Sequence, residues 1–131
     1  MKTLIVEDDF TSRLILQDLL SPYGPTHIAV NGTEATEAVR LAAEGAEPYN
    51  LVCLDILMPG KDGHEVLKEI RDMEDSRGVL STQGVKIVMT TSLSDMKNVL
   101  SAFKGLCDGY VTKPVDKAKL MGELRKLALV A

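Results

Sequence analysis

Four short apolar runs in this chain each end in residues that can do chemistry. Thr3–Val6 runs into Glu7-Asp8-Asp9, Leu51–Leu54 into Asp55, Val85–Met89 into Thr90-Thr91-Ser92, and Gly109–Val111 into Thr112-Lys113. Brought to one place, they offer acids, hydroxyls and one ammonium, with no thiol or imidazole among them. Crowded carboxylates repel: at ~4–5 Å and an effective dielectric near 20, each pair costs about 3–4 kcal/mol. A divalent cation removes that penalty. An all-oxygen ligand set selects a hard ion, Mg²⁺ with Mn²⁺ as the alternative, and argues against zinc. Mg²⁺ keeps waters and is completed by phosphate oxygens; a lysine opposite it neutralises another phosphoryl oxygen, and a hydroxyl hydrogen-bonds a third. Asp55 is then a ligand, a carboxylate nucleophile that accepts a phosphoryl group, or both.

The elements that must position these groups are legible in the spacing. The four runs above and His27–Val30 are too short for independent helices, and their Val and Ile content suits buried strands. Between them lie stretches with helical spacing, marked by Leu14, Leu16, Leu19 and Leu20; by Ala35, Ala38, Val39 and Ala42; and by Val66, Leu67 and Ile70. Val99, Leu100 and Phe103 mark a fourth, and Leu120, Leu124 and Leu127 a fifth. Asp95 and Asp116 suit the N-caps of the last two, and Asp9, before Phe10-Thr11-Ser12-Arg13, fits a cap better than a ligand. Ser21–Pro25, Asn31-Gly32, Glu47-Pro48, Pro59-Gly60 and Lys113-Pro114 read as turns, and residues 75–84 as the longest irregular connection, on the surface. Strands alternating with helices imply an α/β fold with a parallel sheet covered on both faces. Ligands of such sheets bind at the carboxyl ends of the strands, where all the reactive residues fall.

Composition bounds the rest. With 131 residues, 45% hydrophobic and 26% charged, one packed domain over residues 1–131 is expected. The net charge of −4 excludes a general polyanion binder, so no direct nucleic-acid contact is expected. The charge is uneven: residues 1–96 carry 8 basic and 16 acidic side chains, residues 97–131 carry 7 and 3. That asymmetry suits either a cation site with one working lysine or general complementarity within the fold. No apolar run approaches the ~18 residues that span a bilayer, and the acids at 7–9 interrupt any signal-like segment. Cys53 and Cys107 make no disulfide framework, Cys53 reads as a core residue, and a cytoplasmic protein without membrane contact is expected.

Val6-Glu7-Asp8-Asp9…Arg13, Leu54-Asp55-Ile56-Leu57-Met58-Pro59-Gly60-Lys61-Asp62-Gly63, Thr91-Ser92 and Gly109-Tyr110-Val111-Thr112-Lys113-Pro114 resemble the receiver domain of two-component response regulators, over essentially the whole chain. The resemblance implies a flavodoxin-like (βα)5 fold, a doubly wound five-stranded parallel sheet of order 2-1-3-4-5. It implies that Asp55 is the phosphoacceptor for a histidine kinase or histidine phosphotransfer protein. Asp8 would bind Mg²⁺ directly, Glu7 through a water, and Leu57 through its backbone carbonyl. Thr91 would be the switch hydroxyl, Lys113 the phosphoryl-pairing lysine, and Tyr110 the aromatic switch that follows Thr91. The Lys113–Pro114 peptide would be cis. A downstream partner would read the face formed by the fourth helix, fifth strand and fifth helix.

Two positions that vary in such domains are leucines here, Leu57 and Leu93. Neither can orient a hydrolytic water, which implies slow self-dephosphorylation. Leu57 also stands where an aspartate-nucleophile phosphatase would need its second acid, so that enzyme class is disfavoured. A receiver that signals by constitutive binding is disfavoured because every site residue is present. His64 reads as an exposed or capping residue, and Met58, Met89, Met96 and Met121 as core or helix-face residues.

Overall fold

The computed structural model describes residues 1–80, 83–92 and 106–131. Five parallel strands, β1 (Thr3–Val6), β2 (Thr26–Ala29), β3 (Leu51–Asp55), β4 (Lys86–Thr91) and β5 (Gly109–Thr112), form one sheet of order β2-β1-β3-β4-β5. The helices are α1 (Phe10–Leu20), α2 (Gly32–Glu44), α3 (Gly63–Ser76) and the C-terminal α4 (Lys117–Lys126), with a 3₁₀ turn at Ser21–Tyr23. The helix expected around Val99, Leu100 and Phe103, its Asp95 cap, Leu93 and Met96 lie outside the described residues.

Every residue of β1 and of β3 is buried, as strands covered on both faces require. Alternation along them divides the core. Leu4, Val6, Val52, Leu54, Ile87 and Met89 pack with Val39, Val66, Leu67 and Ile70 of α2 and α3. Ile5, Leu51, Cys53, Val88 and Val111 pack with Leu16 and Leu20 of α1 and Leu120, Met121 and Leu124 of α4. Cys53 is fully buried there, and burial pushes its thiol up to about 12. Met58, Met89 and Met121 are buried in the same two clusters.

Each described α-helix starts at the carboxyl edge of the sheet on an Asp or Asn cap. Asp9 accepts from Ser12 N and Oγ, both at 2.9 Å, and Asp116 accepts from Lys119 N at 2.8 Å. Asn31, read as part of a turn, is the cap of α2: it accepts from Glu34 N at 2.8 Å while Glu34 Oε1 accepts from Val30 N at 3.0 Å. Glu34 thus reaches back to the residue before the cap while Asn31 caps the first turn, and Gly32 is the first helical residue, not a turn residue. The cap of α3 is Asp62, which accepts from His64 N and Glu65 N. His64 is therefore neither the cap nor exposed; it is half-buried in the first turn. Asp75 and Ser76, expected in the irregular connection 75–84, are instead the last residues of α3. Glu74 extends its hold on the chain by accepting from Val85 N at 2.7 Å.

Candidate functional site

The register of the strands brings the reactive residues to one edge. Val6 pairs with Leu54, Asp55 with Thr90, and Thr91 with Thr112, so Glu7 follows beside Asp55, with Thr91 one residue further along and Lys113 two, all at the carboxyl ends of four adjacent strands. One carboxylate oxygen from each of Glu7, Asp8 and Asp55 lies within 4.8 Å of the others. Glu7 and Asp55 are buried, at 0% and 4% exposure, while Asp8 is exposed at the mouth. Lys113 Nζ lies 2.7 Å from Glu7 Oε1 and 3.4 Å from Asp55 Oδ1, so the ammonium sits closer to the glutamate than to the aspartate. Its peptide bond to Pro114 is cis.

This crowding sets the protonation pattern. Burial, then the hydrogen bond and charge of Glu7, push the Asp55 carboxyl up to about 7, although Lys113 opposes the shift. Burial also pushes Glu7 up, but its hydrogen bonds with Asp55 and Lys113 and the ammonium charge outweigh that, and it stays below the usual carboxylate range. Burial pulls Lys113 down, and the Glu7 hydrogen bond and both carboxylate charges raise it overall. Two buried acids and one ammonium therefore leave a negative excess, which a proton on Asp55 or a cation beside Asp8 relieves. All the donors are hard oxygens, with an exposed carboxylate open to a hydrated ion. That set fits Mg²⁺.

Thr91 ends β4, buried, with its hydroxyl donated to Ser92 O at 3.1 Å. Tyr110 pairs with Met89 and packs, half-buried, against the α2–α3 side of the core. The Leu57 side chain is 65% exposed. Asp9 stays out of the acid cluster: its carboxylate is held by Ser12, which also keeps it below the usual range. Gly63 stands so close behind Asp55 that a Cβ would lie 2.4 Å from the Asp55 carbonyl oxygen.

Sequence reasoning assigned no role to Arg13. Its Nη1 donates to Asp8 O at 3.1 Å and Glu7 O at 3.4 Å, and its guanidinium lies 5.5 Å from the Phe10 ring centre. It ties the loop that carries the acids to the first turns of α1. The available signal was its place in that first part of α1, one turn after the Asp9 cap.

The acids and the lysine gathered at the carboxyl edge of this doubly wound sheet are groups that could hold a cation and pair with an anionic group. The response regulator receiver domain family matches residues 3–125, and the chain belongs to that family. It is 32% identical over 120 residues to the chemotaxis protein CheY of Halobacterium salinarum, covering 92% of this chain and 90% of that protein. It is 33% identical over 127 residues to the probable transcriptional regulator ycf27 of Cyanophora paradoxa, covering 96% of this chain and 47% of the relative. The chain thus spans less than half the length of several curated relatives it matches. Among solved structures, it superposes with a TM-score of 0.79 and 30% identity on the co-crystal structure of the Saccharomyces cerevisiae phosphotransfer protein Ypd1 with the receiver domain of Ssk1, covering 97% of this chain and 88% of that one. It is a receiver domain of two-component signalling, a family of phosphoacceptors with an acidic Mg²⁺ pocket.

Proposed function

We propose that Asp55 accepts a phosphoryl group from a phosphohistidine of a histidine kinase or histidine phosphotransfer protein, and that the modified chain is read by a downstream protein. The observation that carries this reading is the buried Asp55 with Lys113 Nζ 3.4 Å away and the Glu7 and Asp8 carboxylates gathered beside it. An Asp55 oxygen attacks phosphorus, the P–N bond to the partner's imidazole breaks, and the imidazole leaves with the electron pair and takes up a proton. A Mg²⁺ held by Asp8, Asp55, the Leu57 carbonyl and, through a water, Glu7 would neutralise charge on the phosphoryl oxygens. Lys113 supplies the second positive charge. It is already held in place by Glu7, so little reorganisation is needed when the phosphoryl group arrives.

The added charge and acceptor oxygens then act on the neighbouring strand end. Thr91 exchanges its bond to Ser92 O for one to a phosphoryl oxygen, and Tyr110 moves into the space it leaves. The face that includes β5 and the C-terminal helix α4 changes, and a partner with differential affinity for the two states reads it. Residues 1–131 act as one cytoplasmic receiver, not as an enzyme beyond their own phosphorylation and dephosphorylation, and contact neither nucleic acid nor membrane. Among the described residues, no helix is long and apolar enough to cross a membrane. The yeast receiver solved with a phosphotransfer protein supports the choice of donor class.

Intact mass after incubation with acetyl phosphate tests this directly. One phosphoryl adduct is expected in the presence of Mg²⁺, absent with chelator and absent in Asp55→Asn. An adduct that persists in Asp55→Asn would place the chemistry on another residue.

A further inference from the structure

The loop that leaves Asp55 is secured from outside the acid cluster. It closes on itself where Gly63 N–H donates to Ile56 O at 3.0 Å, and Met58 is buried. Between these points, Leu57 is exposed and Gly60 takes φ +76° with nothing within 4 Å of where a Cβ would stand. Past Gly60, Lys61 turns to α3, and its Nζ lies 2.8 Å from Glu69 Oε2. The same carboxylate oxygen lies 2.9 Å from Thr36 Oγ1 of α2. The Thr36 hydroxyl has one proton, shared between Glu69 and Gly32 O at 3.0 Å. Gly32 abuts the loop directly: a Cβ there would stand 2.5 Å from the Lys61 carbonyl oxygen. One oxygen of Glu69 thus joins the loop, α2 and α3, at a place where α2 and the loop are in backbone contact.

We propose that Lys61, Glu69 and Thr36 form a latch that holds the Ile56–Asp62 loop beside Asp55, making Glu69 a positioning residue for cation binding. The inference rests on the reading of Glu7, Asp8 and Asp55 as the cation site. The physical reason is pre-organisation. A loop with Leu57 exposed and open space around Gly60 must lose conformational freedom when its backbone is fixed next to a bound ion. The latch fixes one end of it in advance. Because the pair is half-exposed, its contribution is modest and falls with salt.

The test titrates Mg²⁺ calorimetrically into the full chain and follows hydrogen exchange of residues 56–62, in wild type, Glu69→Gln, Lys61→Met and the charge-swapped Lys61→Glu/Glu69→Lys pair. Either single variant is expected to weaken Mg²⁺ binding roughly two- to fivefold and to speed exchange in 56–62 but not in α1 or α4. The swapped pair is expected to restore both. Unchanged exchange in 56–62, or a uniform increase across the chain, would overturn the latch. Asp8→Asn separates the two readings: if it binds Mg²⁺ as the wild type does, the cation site is wrong, and the exchange data alone then decide the latch.

Discussion

The acid cluster should make the metal-free protein less stable as pH rises, and Asp55→Asn should remove that dependence. The Asp55 carboxyl holds its proton to about 7 in the folded chain, against an ordinary value of 3.8. Above pH 3.8 the unfolded chain has released a proton that the folded chain still binds, so stability falls with rising pH. The fall ends above about pH 7, when both states are ionised. The full loss is about 4 kcal/mol, of which about 2–3 kcal/mol falls between pH 5 and pH 8. Asparagine keeps the shape and cannot ionise, so its advantage over wild type should grow by that amount across the interval. For a chain of this length that is roughly 9 °C in midpoint. The assay is urea and thermal unfolding of chelator-treated wild type and Asp55→Asn at pH 5, 6, 7 and 8. Added Mg²⁺ should close the gap at pH 8, because the ion binds the folded wild type and stabilises it by mass action. A difference between the two proteins that stays constant from pH 5 to pH 8 would refute the reasoning, since it would mean that burial and Glu7 do not hold a proton on Asp55.

Other substitutions separate the roles of neighbouring residues. Leu57→Asn should shorten the lifetime of the phosphorylated chain, roughly fivefold if the amide gains one hydrogen bond to the attacking water; loss of the phosphoryl adduct over time by intact mass measures it. Asp9→Ala should cost about 1 kcal/mol in urea unfolding through loss of the α1 cap, while Mg²⁺ affinity stays at the wild-type value. Thr3→Val should stabilise by about 1 kcal/mol, because the Thr3 hydroxyl is buried with no hydrogen-bond partner and valine has the same shape; a lower unfolding midpoint would count against this.

Where single residues carried strong local signals, the sequence was enough. Thr3–Val6 and Leu51–Leu54 are short, apolar and followed at once by acids, and both are buried strands ending at the site. Asp9 and Asp116 are the caps their positions suggested. The strand order came from the family resemblance, since alternating strands and helices are compatible with several orders. What could not be read locally depended on contacts between distant segments. Asn31-Gly32 is the exception: it reads as a turn, although Asn31 and Glu34, three residues apart, carry a local helix-start signal. Lys61 is one of many charged residues until the fold brings α2 and α3 to it. The preference of Lys113 for Glu7 over Asp55 spans 106 positions and is set by how β5 and β1 end, not by any motif.

The charge asymmetry had two readings, and the ion pairs favour one. If the basic last part merely complemented the acidic first part, its lysines should reach acids of residues 1–96. Among the described residues, Lys119 instead pairs with Asp116 and Lys126 with Glu123, both local. Arg71 and Lys86 pair with Asp108, a base of the first part with an acid of the last. Lys113 is the described base that crosses in the complementary sense, to Glu7 and Asp55. Among the described residues a single lysine thus works against a buried acid pair, so the two sides of the cluster should respond to mutation with opposite sign. Asp55→Asn removes a buried charge in excess and stabilises at pH 8. Lys113→Met leaves two buried carboxylates without a cation and should destabilise by about 2–3 kcal/mol at pH 8, less at pH 5 where Asp55 is protonated. Urea unfolding of the double variant completes the cycle: its loss relative to Asp55→Asn should be smaller than the loss caused by Lys113→Met alone. Additive losses would mean that the lysine and the aspartate do not share one electrostatic site.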